Sequence, residues 1–190
     1  MKIKFFILTI ILLFARGCDF YSTSLWFFDD PTSETSPLYK FLGFGWTGFI
    51  IANIIIFGLI IYAFYFYSFK YKAPRETSSN KLTDFVSEQY FNKKGRFFEV
   101  FYKAPKNKTT FFAHLGYVLI RVAIVASFLA TFHNISQFYK LTFYITFREI
   151  VGRPLYVIYG LILLSLFYFL YRLWSKEYRM TSNKNTIETW

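Results

Sequence analysis

The sequence predicts an all-α membrane protein, with four transmembrane helices in an N-in/C-in bundle and a basic cytoplasmic loop. Three observations predict it. The first is composition. Of 190 residues, 55% are hydrophobic and 25% aromatic, but only 17% are charged, against about 25% in an ordinary soluble domain. Twenty-seven Phe and sixteen Tyr are more than a soluble core of this size hides, which excludes a soluble globular domain, a disordered chain and a disulfide scaffold. The second is length. A bilayer core about 30 Å thick needs roughly 20 apolar residues in a helix, and four stretches qualify. The third is charge asymmetry. With the N-terminus inside, the inner segments hold sixteen Lys and Arg and the outer segments four, as the positive-inside rule requires. The net charge of +11 is thus mostly a topology signal, and no nucleic-acid partner is expected.

Span one runs from about Ile3 to Phe28. Its basic start and apolar run also fit a signal peptide, and Cys18 after Gly17 fits a lipoprotein cleavage site. Arg16 and Ala15 stand where such a site normally carries other residues, and apolar character resumes after Asp19, so a retained helix is favoured. The acidic outer loop that follows contains Pro31 and Pro37. Span two runs from about Phe44 to Phe69.

The inner loop, Lys70 to Thr110, is too short for an independent enzyme domain. Leu82, Phe85, Val86 and Tyr90 fall on one face at helical spacing. The bases and rings after them suit anionic lipid headgroups at the inner leaflet, a solvated connector, or a partner-docking surface. Asn107-Lys108-Thr109 and Asn134-Ile135-Ser136 match the glycosylation pattern, but the expected topology discounts both. Span three runs from about Phe111 to Ile135. A short aromatic segment, expected at the outer interface, leads to Pro154, which suits a first helical turn. Span four ends near Trp174. Longer, continuous runs exclude β-barrel strands of about ten alternating residues. No phosphate-binding glycine loop, hydrolase elbow or metalloprotease signature is present, and no cofactor or metal is expected. Two histidines nineteen apart on one helix do not both ligate one haem.

The site candidates are polar residues inside the spans, where an ionisable group costs about 2.5–3.5 kcal/mol on insertion scales. Arg16, Asp19 and Thr23 lie three and four apart, on one helical stripe, with Ser22 beside it. Asn53 is in span two. Arg121 lies in span three, with His133 and Asn134 at its outer end. His114, at the inner start of span three, reads as solvated. Gly116, Ala123 and Ala130, seven apart, form a smooth helix-packing stripe. A rise of 1.5 Å per residue places Arg16 and Arg121 near mid-membrane. It places Asp19, Thr23, Asn53, His133 and Asn134 in the outer half, converging on an outward-facing pocket with Glu34 above it. Two guanidiniums face one carboxylate, so one positive charge is left over. Arg16 can pair with Asp19 along the helix and Arg121 across helices, and the charge left over must snorkel, find Glu34, or bind an anion such as a lipid phosphate or a substrate carboxylate. The plainer alternative is that Asp19 and Arg121 clip two helices together while Arg16 snorkels.

The run Asp19-Phe20-Tyr21-Ser22-Thr23, followed by Glu34-Thr35-Ser36-Pro37, resembles an uncharacterised family of small prokaryotic multi-helix membrane proteins with an Asp-x-x-Ser/Thr-Thr … Glu-x-Asn-Pro pattern. His133-Asn134 is similar to that family's short helix ending, whereas Ser36 departs from its Asn. The resemblance implies no activity. It implies that Asp19, Thr23, Glu34 and Pro37 belong to one site at the outer face.

Three functions are compatible with these residues. One is an accessory or structural subunit of a larger membrane assembly, partnered by other membrane subunits or by itself. Another is a carrier or enzyme for an anionic amphiphile, with Asp19 or His133 as the catalytic candidates. The last is a tether that recruits partners through the inner loop. The bacterial inner membrane is the expected location.

Overall fold

The computed structural model describes residues 2–29, 46–73 and 79–187. Glu34, Ser36 and Pro37 lie outside the described residues. Every element among those described is helical. They are α1 (Lys2–Asp29), α2 (Trp46–Tyr65), α3 (Leu82–Phe91), α4 (Lys108–Phe138), α5 (Thr142–Val151) and α6 (Pro154–Ile187). A π-helical turn, Phe66–Lys70, extends α2, and a 3-10 turn, Phe97–Phe101, lies between α3 and α4. Among the described residues, three segments are long and apolar enough to cross a membrane: Thr47–Lys70, Lys108–Phe138 and Pro154–Ser182. The other expected span, α1, is an unbroken 28-residue helix that carries Arg16 and Asp19 inside its apolar run.

The central helix is α4, against which α1, α2 and α6 all lie. It begins where Asn107 caps it, the side-chain oxygen accepting from the Thr110 N–H at 3.2 Å. Such a cap satisfies one of the backbone donors that a helix start leaves unpaired. Close approach of α2 depends on Gly116. A Cβ there would overlap the backbone of Ala63, so this position of the smooth stripe is a packing contact. Leu12, Ile60, Phe64, Tyr117, Ile120 and Leu173 from the four long helices make the main core.

Three boundaries differ from the sequence reading. The helix of span four continues past Trp174 to Ile187, because no Gly or Pro stops it and its next turns stay useful: Trp174, Glu177 and Thr181 are buried. The aromatic connector after span three contains a helix of its own, α5, whose Phe143 and Ile150 are exposed. The third difference is the inner loop. The expected helix exists as α3, and its Phe85, Val86 and Tyr90 join Phe91 and Trp174 in a second core. That apolar face is covered by α6, not left for lipid or water. The chain then turns back through Asn92, in the left-handed conformation at φ 56°. Ser87 fixes the return, donating to the Lys93 carbonyl at 2.8 Å and accepting from the Arg96 N–H at 2.7 Å.

Candidate functional site

The register of α1 on α4 decides which polar groups meet. Arg16 reaches Ser127, and Trp26 reaches Asn134, so the two helices run in the same direction with neighbours about 110 positions apart. Three polar clusters result.

The first cluster sits around Arg16. Its Nη1 donates to Asp19, one turn along the same helix, and to Ser127 Oγ at 3.4 Å. Its Nη2 donates to Asn53 Oδ1 on α2. Asn53 in turn donates to the Phe49 carbonyl at 2.8 Å. The guanidinium also lies 4.1 Å from the Phe57 ring centroid, a favourable place for a cation. Asp19 and Asn53 are both buried. Three helices are thus joined through one guanidinium whose charge is neutralised on its own helix. Ser127 was not among the sequence candidates, because a serine on α4 looks no different from any other until the register is known.

The second cluster continues one turn further. Ser22 donates to the Asp19 carbonyl at 2.9 Å. Asn134 Nδ2 donates to Ser22 Oγ at 3.2 Å and to Thr23 Oγ1 at 3.3 Å, and the Asn134 carbonyl accepts from Trp26 Nε1 at 3.2 Å. His133, one residue away, faces elsewhere, with its Nδ1 bonded to the Tyr144 hydroxyl of α5. Burial pushes that hydroxyl above its ordinary range, so it remains a donor to the ring. The expected convergence of five polar residues on one pocket is therefore divided. Asp19 and Asn53 belong to the Arg16 cluster, and Thr23 and Asn134 to the next. His133 and Asn134 line a cavity of about 500 Å³ with Trp26, Arg148, Arg153 and Tyr156. The walls of this cavity come mainly from α4, α5 and α6. Arg148 and Arg153 stand in its lining, and Arg153 donates to the Tyr156 hydroxyl at 3.0 Å.

Of the two pairings open to Asp19, the structure takes the one along α1. Arg121 does not clip to Asp19. It lies six residues before Ser127, so it sits about 9 Å along the α4 axis from the level of Arg16 at 1.5 Å per residue. Helical side chains lean towards the helix N-terminus, which carries the Arg121 guanidinium further from Asp19. It donates to the Tyr117 carbonyl and stacks 3.6 Å from the Tyr117 ring centroid. Arg16 is therefore the arginine paired with Asp19, and Arg121 is held by Tyr117.

The third cluster was missed. His114 is not solvated but 1% exposed, like Glu177. Its Nε2 lies 3.0 Å from Glu177 Oε2 and its Nδ1 2.7 Å from the Tyr90 hydroxyl. One tautomer satisfies both contacts: Nε2–H donates to the carboxylate, and Tyr90 donates to Nδ1. Glu177 also accepts from Gln89 Nε2 at 3.1 Å and from the Tyr71 hydroxyl at 3.3 Å. Trp174 Nε1 donates to the Tyr90 hydroxyl at 3.4 Å. Burial pushes the Tyr71 hydroxyl far above the usual tyrosine range, with the nearby Glu177 charge adding to it, and burial does the same for Tyr90. Both stay protonated donors. The first turn of a long helix is normally wet, which is why His114 read as solvated. The loop folds back and covers it. The available signal was the apolar face of α3, which had to cover something.

Comparison of the chain with protein-family models, with curated proteins and with solved structures finds no match in any of the three.

Proposed function

We propose that the protein is a four-span integral membrane protein of the bacterial inner membrane, with both termini inside, that serves as an accessory or structural subunit of a larger membrane assembly. One observation supports this reading above the others. Only 6% of the most apolar 18-residue stretch of α6 is buried by the rest of the chain, against 28% for α2 and 39% for α4. A helix that the chain itself covers so little suits packing against another subunit or a second copy. The Arg16 cluster supports the same reading, since its charge is spent on joining α1, α2 and α4. It also supports α1 as the fourth span, because the costly groups turn towards protein instead of lipid. Orientation rests on the Lys and Arg asymmetry, and the exposed Lys93 and Lys94 after α3 suit anionic headgroups. The family resemblance is part of the same proposal.

Extraction in a mild detergent, followed by measurement of the particle mass, tests it. Co-migration with other membrane proteins or a self-assembled oligomer is expected. A chain that always migrates alone overturns it.

A second reading is favoured by the 500 Å³ cavity. Arg148 and Arg153 would hold the anionic head of an amphiphile entering from the outer leaflet, and His133 with Tyr144 would carry any proton transfer. Arg153→Gln and His133→Gln should then abolish amphiphile binding while leaving the fold intact. Unchanged binding in both excludes this reading.

A further inference from the structure

A second cavity, at the end of the bundle that carries the N-terminus of α1 and the loop, collects cations from three helices. It is a groove of about 340 Å³ lined by Lys4 from α1, Arg121 from α4, and Arg172 and Lys176 from α6, with Tyr117 at its base and Leu8 on its wall. No carboxylate lines it. Among the described residues, Lys4, Arg172 and Lys176 make no ion pair, and the one hydrogen bond of Arg121 goes to the Tyr117 carbonyl. The carboxylate nearest in sequence, Glu177, is turned away into the buried His114 cluster.

Four like charges gathered around one opening repel each other, and the offset is partial: the Tyr117 ring and carbonyl hold Arg121, and the Glu177 charge acts on Lys176 from outside the groove. Yet these residues are not spread over a solvated face, because Arg121 is half-buried and Tyr117 buried. Apolar surface continues from the groove along α1, where Ile3, Ile7 and Ile10 are exposed. A ligand that fits therefore has a compact anionic head and an apolar tail beside it. Guanidiniums pair with phosphate oxygens in forked geometry, and lysines add point charge.

We propose that this groove binds the phosphate headgroup of an anionic phospholipid from the leaflet at the loop end, with an acyl chain lying along α1. The site is separate from the outer cavity and does not depend on the subunit reading. A zwitterionic headgroup is disfavoured, since its own cation meets four others.

The test uses the full chain in detergent, with lipid retention followed by native mass spectrometry. Phosphatidylglycerol, phosphatidylcholine and inorganic phosphate are the probes. Phosphatidylglycerol should be retained in preference to phosphatidylcholine. Arg172→Gln combined with Lys176→Gln should cut that retention by about fivefold per charge removed. Lys4→Gln combined with Lys176→Gln serves as a second variant, since all three of these positions are exposed and tolerate substitution. Lys72→Gln combined with Lys81→Gln removes the same charge at two exposed positions outside the groove and should change nothing. Equal retention of the two lipids, or an equal loss in that control, overturns the site. Thermal stabilisation by inorganic phosphate, with no further gain from phosphatidylglycerol, overturns the lipid as its source.

Discussion

The Arg16 and His114 clusters solve the same problem, a buried ionisable group, with different materials. Around Arg16 the counter-charge comes from the next turn of the same helix, and neutral Asn53 and Ser127 complete the shell. Around His114 the partners come from the end of α2, from α3 and from α6, and its carboxylate lies sixty-three positions away. The pairs also differ in exposure. The Arg16 and Asp19 side chains are 15% and 12% exposed, whereas those of His114 and Glu177 are each 1% exposed. A pair within one helix forms as soon as that helix forms. A pair assembled from several elements exists only after they have packed, and it then holds them together.

This difference sets the order of expected effects. The largest belongs to Glu177→Leu. It removes the acceptor of His114, Gln89 and Tyr71 at once, and breaking a buried pair from one side costs about 3–5 kcal/mol. Unfolding in mixed micelles should show that loss. The double variant His114→Leu with Glu177→Leu should recover part of it, because the buried His114 N–H is then no longer left without its acceptor. A loss below that of Asp19→Asn would undo the contrast between the clusters.

Next is Gly116→Leu, which tests the packing that brings α2 and α4 together near the His114 end of α4. With the Ala63 backbone in the way, overpacking should cost about 1–3 kcal/mol in the same assay. A neutral result would show that α2 moves freely away from α4.

Asp19→Asn should cost less, about 1–2 kcal/mol, in the range found for polar contacts between membrane helices. Arg16 keeps Asn53, Ser127 and the Phe57 ring. If Asp19→Asn exceeds Glu177→Leu, the local pair is the more important of the two.

The smallest effect is that of pH. Tyr71 and Tyr90 have hydroxyl pKa values raised by burial. A raised pKa favours the protonated form, so its contribution to stability is complete below the unfolded value, near 10. It is lost as pH rises from there towards the folded values. Tyrosine should therefore add no slope to the melting temperature below about pH 10, with destabilisation above it. Tyr71→Phe with Tyr90→Phe should weaken that alkaline loss.

Legibility followed the same division. The helical class and the run of α3 were readable because periodicity and hydropathy are properties of neighbouring residues. The Arg16–Asp19–Thr23 stripe was readable for the same reason. The partner of Asp19 was not, since two arginines competed for it and only the α1–α4 register separates their levels. His114 was misread because its surroundings are made by residues 71, 90 and 177, which no local window contains. Arg121 was correctly counted as one of two guanidiniums, but the groove it shares with Lys4, Arg172 and Lys176 needs three helices in place.

By itself the sequence determined that this is a helical chain for an apolar solvent, and where its long helices lie. Those properties follow from short-range spacing and from the cost of transferring polar groups out of water. Tertiary structure alone decided which guanidinium is neutralised, which end of the bundle keeps surplus positive charge, and that the loop seals a His–Glu pair. Axial register and long-range contacts carry that information, and a difference of a few residues in register, at 1.5 Å each, is enough to exchange one partner for another.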